Sequence, residues 1–173
     1  MNQLLKVEVK SMPDELSTFG EYTDEPSDWA IVCDRAEYLA VLRADNADYE
    51  LPAKGSQFRF FIPPDNGEVE GSADYQKYGH EDYSRAVALN NGSWSYIGIV
   101  AEAKIKTEAG SDIIQRISSG GCWGCESDAG REHLVDSIAK EELDALLSEL
   151  VALNVDVSQF EQLSKAAIDA AQF

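Results

Sequence analysis

The residues best suited to chemistry lie in one short segment, which reads Gly-Gly-Cys-Trp-Gly-Cys-Glu-Ser-Asp over positions 120–128. Two cysteines separated by two residues, Cys122 and Cys125, can exchange a disulfide or supply two ligands of a tetrahedral zinc site. The glycines of the segment permit backbone conformations that other residues disfavour. The segment is therefore predicted to form a tight structural turn built from Gly120, Gly121, Trp123 and Gly124.

Both chemical readings require more than this segment supplies. A redox Cys-x-x-Cys pair normally opens a helix after a parallel strand, whereas these cysteines follow a predicted antiparallel hairpin and precede acidic residues, which would raise a thiol pKa. A zinc site would need further ligands at a recognised spacing. The candidates for those ligands are Cys33, His80 and His133. We expect no cofactor and no metal, and a small redox or zinc-binding protein using Cys122 and Cys125 remains the alternative function.

The turn is expected to depend on glycine geometry and apolar volume more than on its thiols. Replacing Cys122 by Leu and Cys125 by Ile is predicted to leave the protein folded. Trp123 is predicted to be buried, so that Trp123→Ala would cost about 3–5 kcal/mol of stability.

The charge of the chain limits its partners. Aspartate and glutamate number 32 against 14 lysines and arginines, which gives a formal net charge of −18. Such a surface repels phosphate backbones, so no direct binding of nucleic acid is expected. It attracts basic protein surfaces, including those that hold DNA or RNA. The predicted partner is therefore a protein with a basic nucleic-acid-binding surface.

Two stretches rich in acids are the candidates for contact with this partner. Positions 11–28 hold six acids and positions 65–71 hold three, and neither stretch contains a lysine or arginine. Acidic loops of this kind also serve solubility alone, and that reading stays open. The predicted partner-binding residues are Glu21, Asp24, Glu25, Asp28, Asp65, Glu68 and Glu70.

No catalytic signature accompanies these features. The chain lacks a Gly-x-Ser-x-Gly segment, a phosphate-binding glycine loop and a dinucleotide fingerprint, so we predict that it is not an enzyme. The first residues contain one lysine and too short an apolar run for a signal peptide, and no window is long enough to span a membrane. A cytoplasmic location in a host cell is expected.

Alternating apolar residues place the turn after a central hairpin. Residues 94–106 and 112–118 both show the period of a strand with one buried face, and a glycine at 110 separates them. An earlier strand over 4–10 is predicted to bury Leu5, Val7 and Val9. Apolar stripes at helical spacing predict helices over about 72–89 and 128–153, the second capped by Ser127 or Asp128. A Ser158 to Glu161 capping box predicts a last helix.

These elements predict an α+β fold in one domain, 1–173. It would hold an antiparallel sheet of four to six strands, two main helices on one face, and a short C-terminal helix within 154–173. The core would lie within about 29–153.

Five segments, at 16–24, 58–61, 82–83, 91–103 and 118–128, resemble an uncharacterised family encoded by bacteriophages, plasmids and bacterial mobile elements. In that family the turn has the form Ser-Gly-Gly-x-Trp-Gly-x-Glu-Ser-Asp, with aliphatic residues at the positions of Cys122 and Cys125. This difference counts further against redox or zinc chemistry. The resemblance implies a phage-type accessory protein, and the acidic surface suggests inhibition of a restriction or CRISPR-type defence by mimicry of nucleic-acid charge. A structural or assembly factor remains an alternative.

Overall fold

A computed structural model describes residues 2–23, 60–65, 67–69, 72–107 and 114–173. The chain forms two compact units, Met1–Ser17 with Ser95–Phe173, and Thr18–Trp94. Of the residues singled out from the sequence, Cys33, Asp24, Glu25, Asp28 and Glu70 lie outside the described residues. In chain order the strands and first helix are β1 (Asn2–Pro13), β2 (Glu21–Thr23), β3 (Phe60–Ile62), α1 (Ala73–Asn90), β4 (Tyr96–Lys106), β5 (Ile114–Ser118) and β6 (Cys122–Glu126).

The last part of the chain is mainly helical. Helix α2 begins with a short α-helical turn, Arg131–His133, passes through a π-helical segment, Leu134–Ala139, and continues as an α-helix, Lys140–Ala152. Strand β7 (Val155–Asp156) and helix α3 (Phe160–Ala170) follow. The α+β class predicted from the sequence is confirmed. None of the described helices combines the length and apolar composition that crossing a membrane requires.

The first unit is built on a five-stranded sheet with β4 at its centre. Strand β1 pairs with one side of β4, and β5 and β6 both pair with the other side, all antiparallel. The predicted hairpin is confirmed, with Glu102 opposite Ser118 and Lys106 opposite Ile114. The sheet is mixed, however, because β7 adds to β1 in the parallel direction at Asn2 and Gln3. The prediction of a purely antiparallel sheet is therefore wrong.

Strand β1 buries a different set of residues from the predicted one. Leu4, Val7 and Val9 are buried, whereas Leu5 is exposed. The cause is an irregularity in the pairing with β4 between Leu4 and Lys6. An extra residue in one strand of a pair interrupts the alternation, so that the side chains before and after it no longer follow one regular in-and-out pattern.

Helices α2 and α3 pack on one face of this sheet and form its core. Neither predicted cap exists: Gly130 precedes α2, Gln159 precedes α3, and neither makes a side-chain capping bond. The Ser127 hydroxyl instead accepts a hydrogen bond from the Ser95 backbone N–H. The buried core includes Val7, Val9, Ile99, Ala101, Ala103, Ile105, Leu134, Leu143, Leu146, Leu150 and Phe160.

The second unit contains its own small core. Strands β2 and β3 pair antiparallel, and Phe61 of β3 packs edge-on against Tyr83 of α1 at 5.4 Å between ring centroids. After α1, the buried Trp94 donates its indole N–H to the Arg85 carbonyl at 3.0 Å. Helix α1, predicted to cover the main sheet with α2, thus belongs to this second unit.

Candidate functional site: the Trp123 turn

The glycine segment connects two strands that share one side of β4. Gly120 and Gly121, between the end of β5 and the start of β6, have φ values of 93° and 90°, in the left-handed region that favours glycine. At Gly121 space is restricted as well, since an added Cβ would lie 2.7 Å from a methyl group of Val100. Positive φ and restricted space both favour glycine at this point, and the strand β6 that follows was not predicted.

The Glu142 carboxylate of α2 holds the start of this turn. Its Oε2 accepts a hydrogen bond from the Ser119 hydroxyl at 2.5 Å and another from the Gly121 backbone N–H at 3.1 Å. The Ser119 hydroxyl oxygen in turn accepts from the Ala101 N–H at 3.1 Å. Hydrogen bonds to an ionised acceptor are stronger than neutral ones, so the turn is fixed to both the helix and the central strand.

The Asp14 carboxylate, just beyond β1, holds the other end. Its Oδ2 accepts from the Gly124 N–H at 2.9 Å and from the Ser17 hydroxyl at 2.7 Å, and its Oδ1 accepts from the N–H groups of Leu16 and Ser17. The Ser17 hydroxyl bond and then the backbone bond from Leu16 lower the pKa of Asp14. Asp14 is therefore ionised at neutral pH, because hydrogen bonds to the charged form favour it.

Between these two attachments the turn presents Trp123 on the sheet face opposite the helices. The six-membered ring of its indole lies over Gly98 of β4, where a Cβ would overlap it. Its Nε1–H donates to the Gly120 carbonyl at 3.2 Å. The residue is 48% exposed, so the expectation of a buried indole is wrong. With roughly half of its surface covered, Trp123→Ala should cost about 2 kcal/mol instead of 3–5.

A pocket lies against the indole. Its volume is about 470 Å³, and its lining residues are Pro13, Asp14, Glu15, Leu16, Ser17 and Trp123. Leu16 at its rim is 93% exposed. The pocket thus combines an aromatic surface and an aliphatic side chain with two carboxylates, and none of the described lysines or arginines lines it.

The two cysteines of β6 both point to the core side of the sheet. An irregularity in pairing places Cys125 opposite Ile97 and Cys122 opposite Ile99, so the pair does not alternate as the residues of a regular strand do. Their sulfur atoms are 3.7 Å apart. Burial, with a contribution from the Cys122 thiol, raises the pKa of Cys125 to about 12. Cys125 is consequently a protonated thiol at neutral pH and a poor nucleophile.

Among the described residues, no three histidine, cysteine or acidic side chains form a group that could hold a metal ion. The Glu142 carboxylate, which lies close enough to raise the Cys125 pKa, has its Oε2 occupied by the two hydrogen bonds to the turn.

Further along the same open face, β1 and β4 carry a network of ion pairs. The Glu8 carboxylate contacts three lysine ammonium groups at 2.6–3.7 Å, and the Glu102 carboxylate lies 3.0 Å from the nearest lysine. A hydrogen bond from Lys6, more than any other influence, lowers the pKa of Glu8. We call this group the ion network, and its cations are Lys6, Lys10, Lys104 and Arg116.

The predicted partner-binding acids lie elsewhere. Glu21, Asp65 and Glu68 are exposed members of the second unit, and Asp65 accepts a hydrogen bond from the Gly67 N–H at 2.9 Å. The sequence analysis missed Asp14, Glu142 and Gly98 as parts of the site. Of these three residues, only Gly98 could have been found from the sequence, because an isolated glycine inside a strand marks close approach by another group. No family model, no curated protein and no solved structure matches the chain.

Proposed function

We propose that the protein is a non-catalytic accessory protein of a phage-type mobile element that binds a host protein through the host protein's basic, nucleic-acid-binding surface. In its sharpest form the proposal is inhibition of a restriction or CRISPR-type defence by mimicry of nucleic-acid charge. The net charge of −18 and the resemblance of five segments to mobile-element proteins support it.

The observation that carries the proposal is a row of exposed acids along α2, which we call the acidic helix surface. Its members lie over a helix length of roughly 26 Å, given a rise of about 1.5 Å per residue. Within the described part of the chain, a single ion pair neutralises this row, between Asp136 and Lys140 at 2.6 Å. The exposed acids are Glu132, Asp136, Glu141, Asp144 and Glu149.

Such a row supports binding to a basic partner for two physical reasons. Carboxylates of this surface other than Asp136 form no ion pair with another described residue, so they keep their attraction for an incoming lysine or arginine surface, which speeds association at low salt. They also lie on a helix whose opposite side is anchored in the core by Leu143, Leu146 and Leu150, so the spacing of the charges is fixed. A rigid surface of exposed negative charges is what charge mimicry requires.

The test is capture from a bacterial lysate with the protein immobilised. The wild type should retain a nucleic-acid-binding protein that a DNA duplex releases, and raising the salt to about 0.5 M should release it as well. The triple variant Glu141→Gln, Asp144→Asn, Glu149→Gln should retain at least about fivefold less of the same protein.

A control variant separates the acidic helix surface from total charge. Glu81→Gln, Glu161→Gln and Asp169→Asn remove the same number of charges at other exposed positions. Capture should persist with this control. Capture that DNA and salt leave unchanged, or that both triple variants reduce equally, would contradict binding through the acidic helix surface.

A further inference from the structure

We infer that the pocket beside Trp123 binds an arginine side chain of the basic partner. The inference rests on the proposed function for the existence of that partner, and adds a second contact site with its own chemistry. The pocket and its lining residues all belong to the first unit.

The first argument is that the indole is held ready for contact in the free protein. Gly98 supports its ring from below, the Gly120 carbonyl accepts its N–H, and carboxylates hold both ends of the turn. A guanidinium group stacks on such a ring through cation–π attraction. A rigid tryptophan loses little conformational entropy on binding, which is why tryptophans are common among the residues that dominate interfaces.

The second argument is the charge of the pocket. Asp14 is ionised, as its lowered pKa requires, and Glu15 is exposed with no hydrogen bond or ion pair to any other described residue. The oxygens of Asp14 already accept four hydrogen bonds, but a purely apolar occupant would take the Glu15 carboxylate out of water without compensation, at a cost in free energy. An arginine offers both a flat face for the indole and N–H donors for a carboxylate.

The third argument is size. A cavity of about 470 Å³ falls within the range of about 300–1,000 Å³ typical of pockets that enclose small ligands. One long side chain and part of its backbone fit such a volume. The exposed Leu16 at the rim can pack on the aliphatic stem of that side chain, since arginine buries its methylene groups along apolar surface.

The test is titration of the ¹⁵N-labelled protein with a short peptide of alternating arginine and glycine, followed by NMR at low salt. The Trp123 indole N–H and the backbone amides of residues 14–17 should shift together and saturate. A peptide with citrulline in place of arginine has nearly the same shape without the charge, and a leucine peptide offers only apolar contact. Both should bind at least about fivefold more weakly.

Three variants locate the contact. Trp123→Leu should weaken binding of the arginine peptide about fivefold, and Glu15→Gln about threefold. Glu161→Gln, which removes one exposed charge on α3, should leave the affinity unchanged. Because Glu15 is exposed, its variant tests the pocket even if Trp123→Leu perturbs the turn.

Three outcomes would overturn the inference. They are equal affinity for the citrulline or leucine peptide, unchanged affinity in the Glu15→Gln protein, and shifts confined to amides outside the pocket. The proposed function is tested separately, by the capture experiment. If the triple variant of the acidic helix surface loses capture while Trp123→Leu and Glu15→Gln keep it, the proposed basic partner stands. The same result would show that this partner does not use the pocket for an arginine.

Discussion

The sheet face of the first unit opposite α2 and α3 has two halves, which differ in whether their charged and apolar side chains are paired or exposed. In the ion network half, Glu8 and Glu102 are surrounded by cations within 2.6–3.8 Å. In the Trp123 half, an indole with nearly half its surface exposed lies beside a pocket whose described lining holds two carboxylates and no cation. The same two strands, β1 and β4, underlie both halves, so backbone geometry does not explain the contrast.

A single residue of β4 accounts for much of the difference between the two halves. Gly98 has no side chain, and the space this leaves above β4 is filled by Trp123 from the neighbouring strand. Two and four positions further along β4, Val100 and Glu102 fill their own space. The comparison teaches that the ion network satisfies its own charges and needs no partner, whereas the Trp123 half keeps apolar and negative groups exposed.

The largest predicted effect comes from filling the space above Gly98. Gly98→Ala places a methyl group where the indole now lies, and the central strand cannot move away without disturbing both neighbours. We expect a loss of about 2–3 kcal/mol in the free energy of unfolding, measured by urea denaturation. Tryptophan fluorescence should shift to longer wavelength as the ring is displaced into water. The matched control in the other half, Lys104→Ala, should cost less than about 0.5 kcal/mol, and equal losses from both changes would erase the distinction between the halves.

A smaller, pH-dependent effect is predicted at Asp14. The pKa of Asp14 is lowered in the folded state, so the unfolded chain takes up a proton first as the pH falls. The hydrogen bonds of Asp14 thus stabilise the fold fully above pH about 4, and this contribution disappears below it. Asp14→Asn should therefore lower Tm at pH 7 and have progressively less effect as the pH falls to about 2.5. A Tm difference that stays constant over this range would show that the charge of Asp14 contributes nothing.

The smallest effect is expected within the ion network. Glu102→Gln removes a partly covered charge whose partners Lys10 and Arg116 both reach solvent, and ion pairs near the surface contribute about 1 kcal/mol or less. The free energy of unfolding should fall by less than that amount, and by less again in about 1 M salt, where screening is strong. A loss above about 2 kcal/mol that salt does not reduce would mean that the ion network contributes as much to the free energy of unfolding as the Trp123 half does.

The sequence predicted the centre of the fold better than its edges. The alternation in β4 and β5 is strong and local, so the hairpin and its buried face were predicted correctly. The bulge after Leu4 and the parallel addition of β7 depend on contacts between distant parts of the chain, which periodicity does not contain. The cap expected at Ser127 failed for the same reason, since its hydroxyl bonds to Ser95.

The site was predicted only in part, and the error at Trp123 is instructive. The glycines suggested a turn because positive φ is a local requirement, and Gly120, Gly121 and Gly124 have positive φ. The burial of Trp123 was inferred from its apolar character, and that inference overlooked the opposite side of the sheet. Asp14 is 110 residues from Gly124 and Glu142 is 21 residues from Gly121, and no spacing argument covers such separations.

For the arginine-bearing partner proposed above, the two carboxylates that fix the turn have a kinetic consequence. Because Asp14 and Glu142 hold the backbone on both sides of the indole, the free protein already keeps the ring in the position that the proposed contact uses. No slow rearrangement then precedes or follows the encounter, and a mixing experiment should show a single exponential phase whose rate rises linearly with partner concentration. Partners would share similar association rate constants, on the order of 10⁵–10⁷ M⁻¹ s⁻¹ without electrostatic steering, and would differ in how long they remain bound.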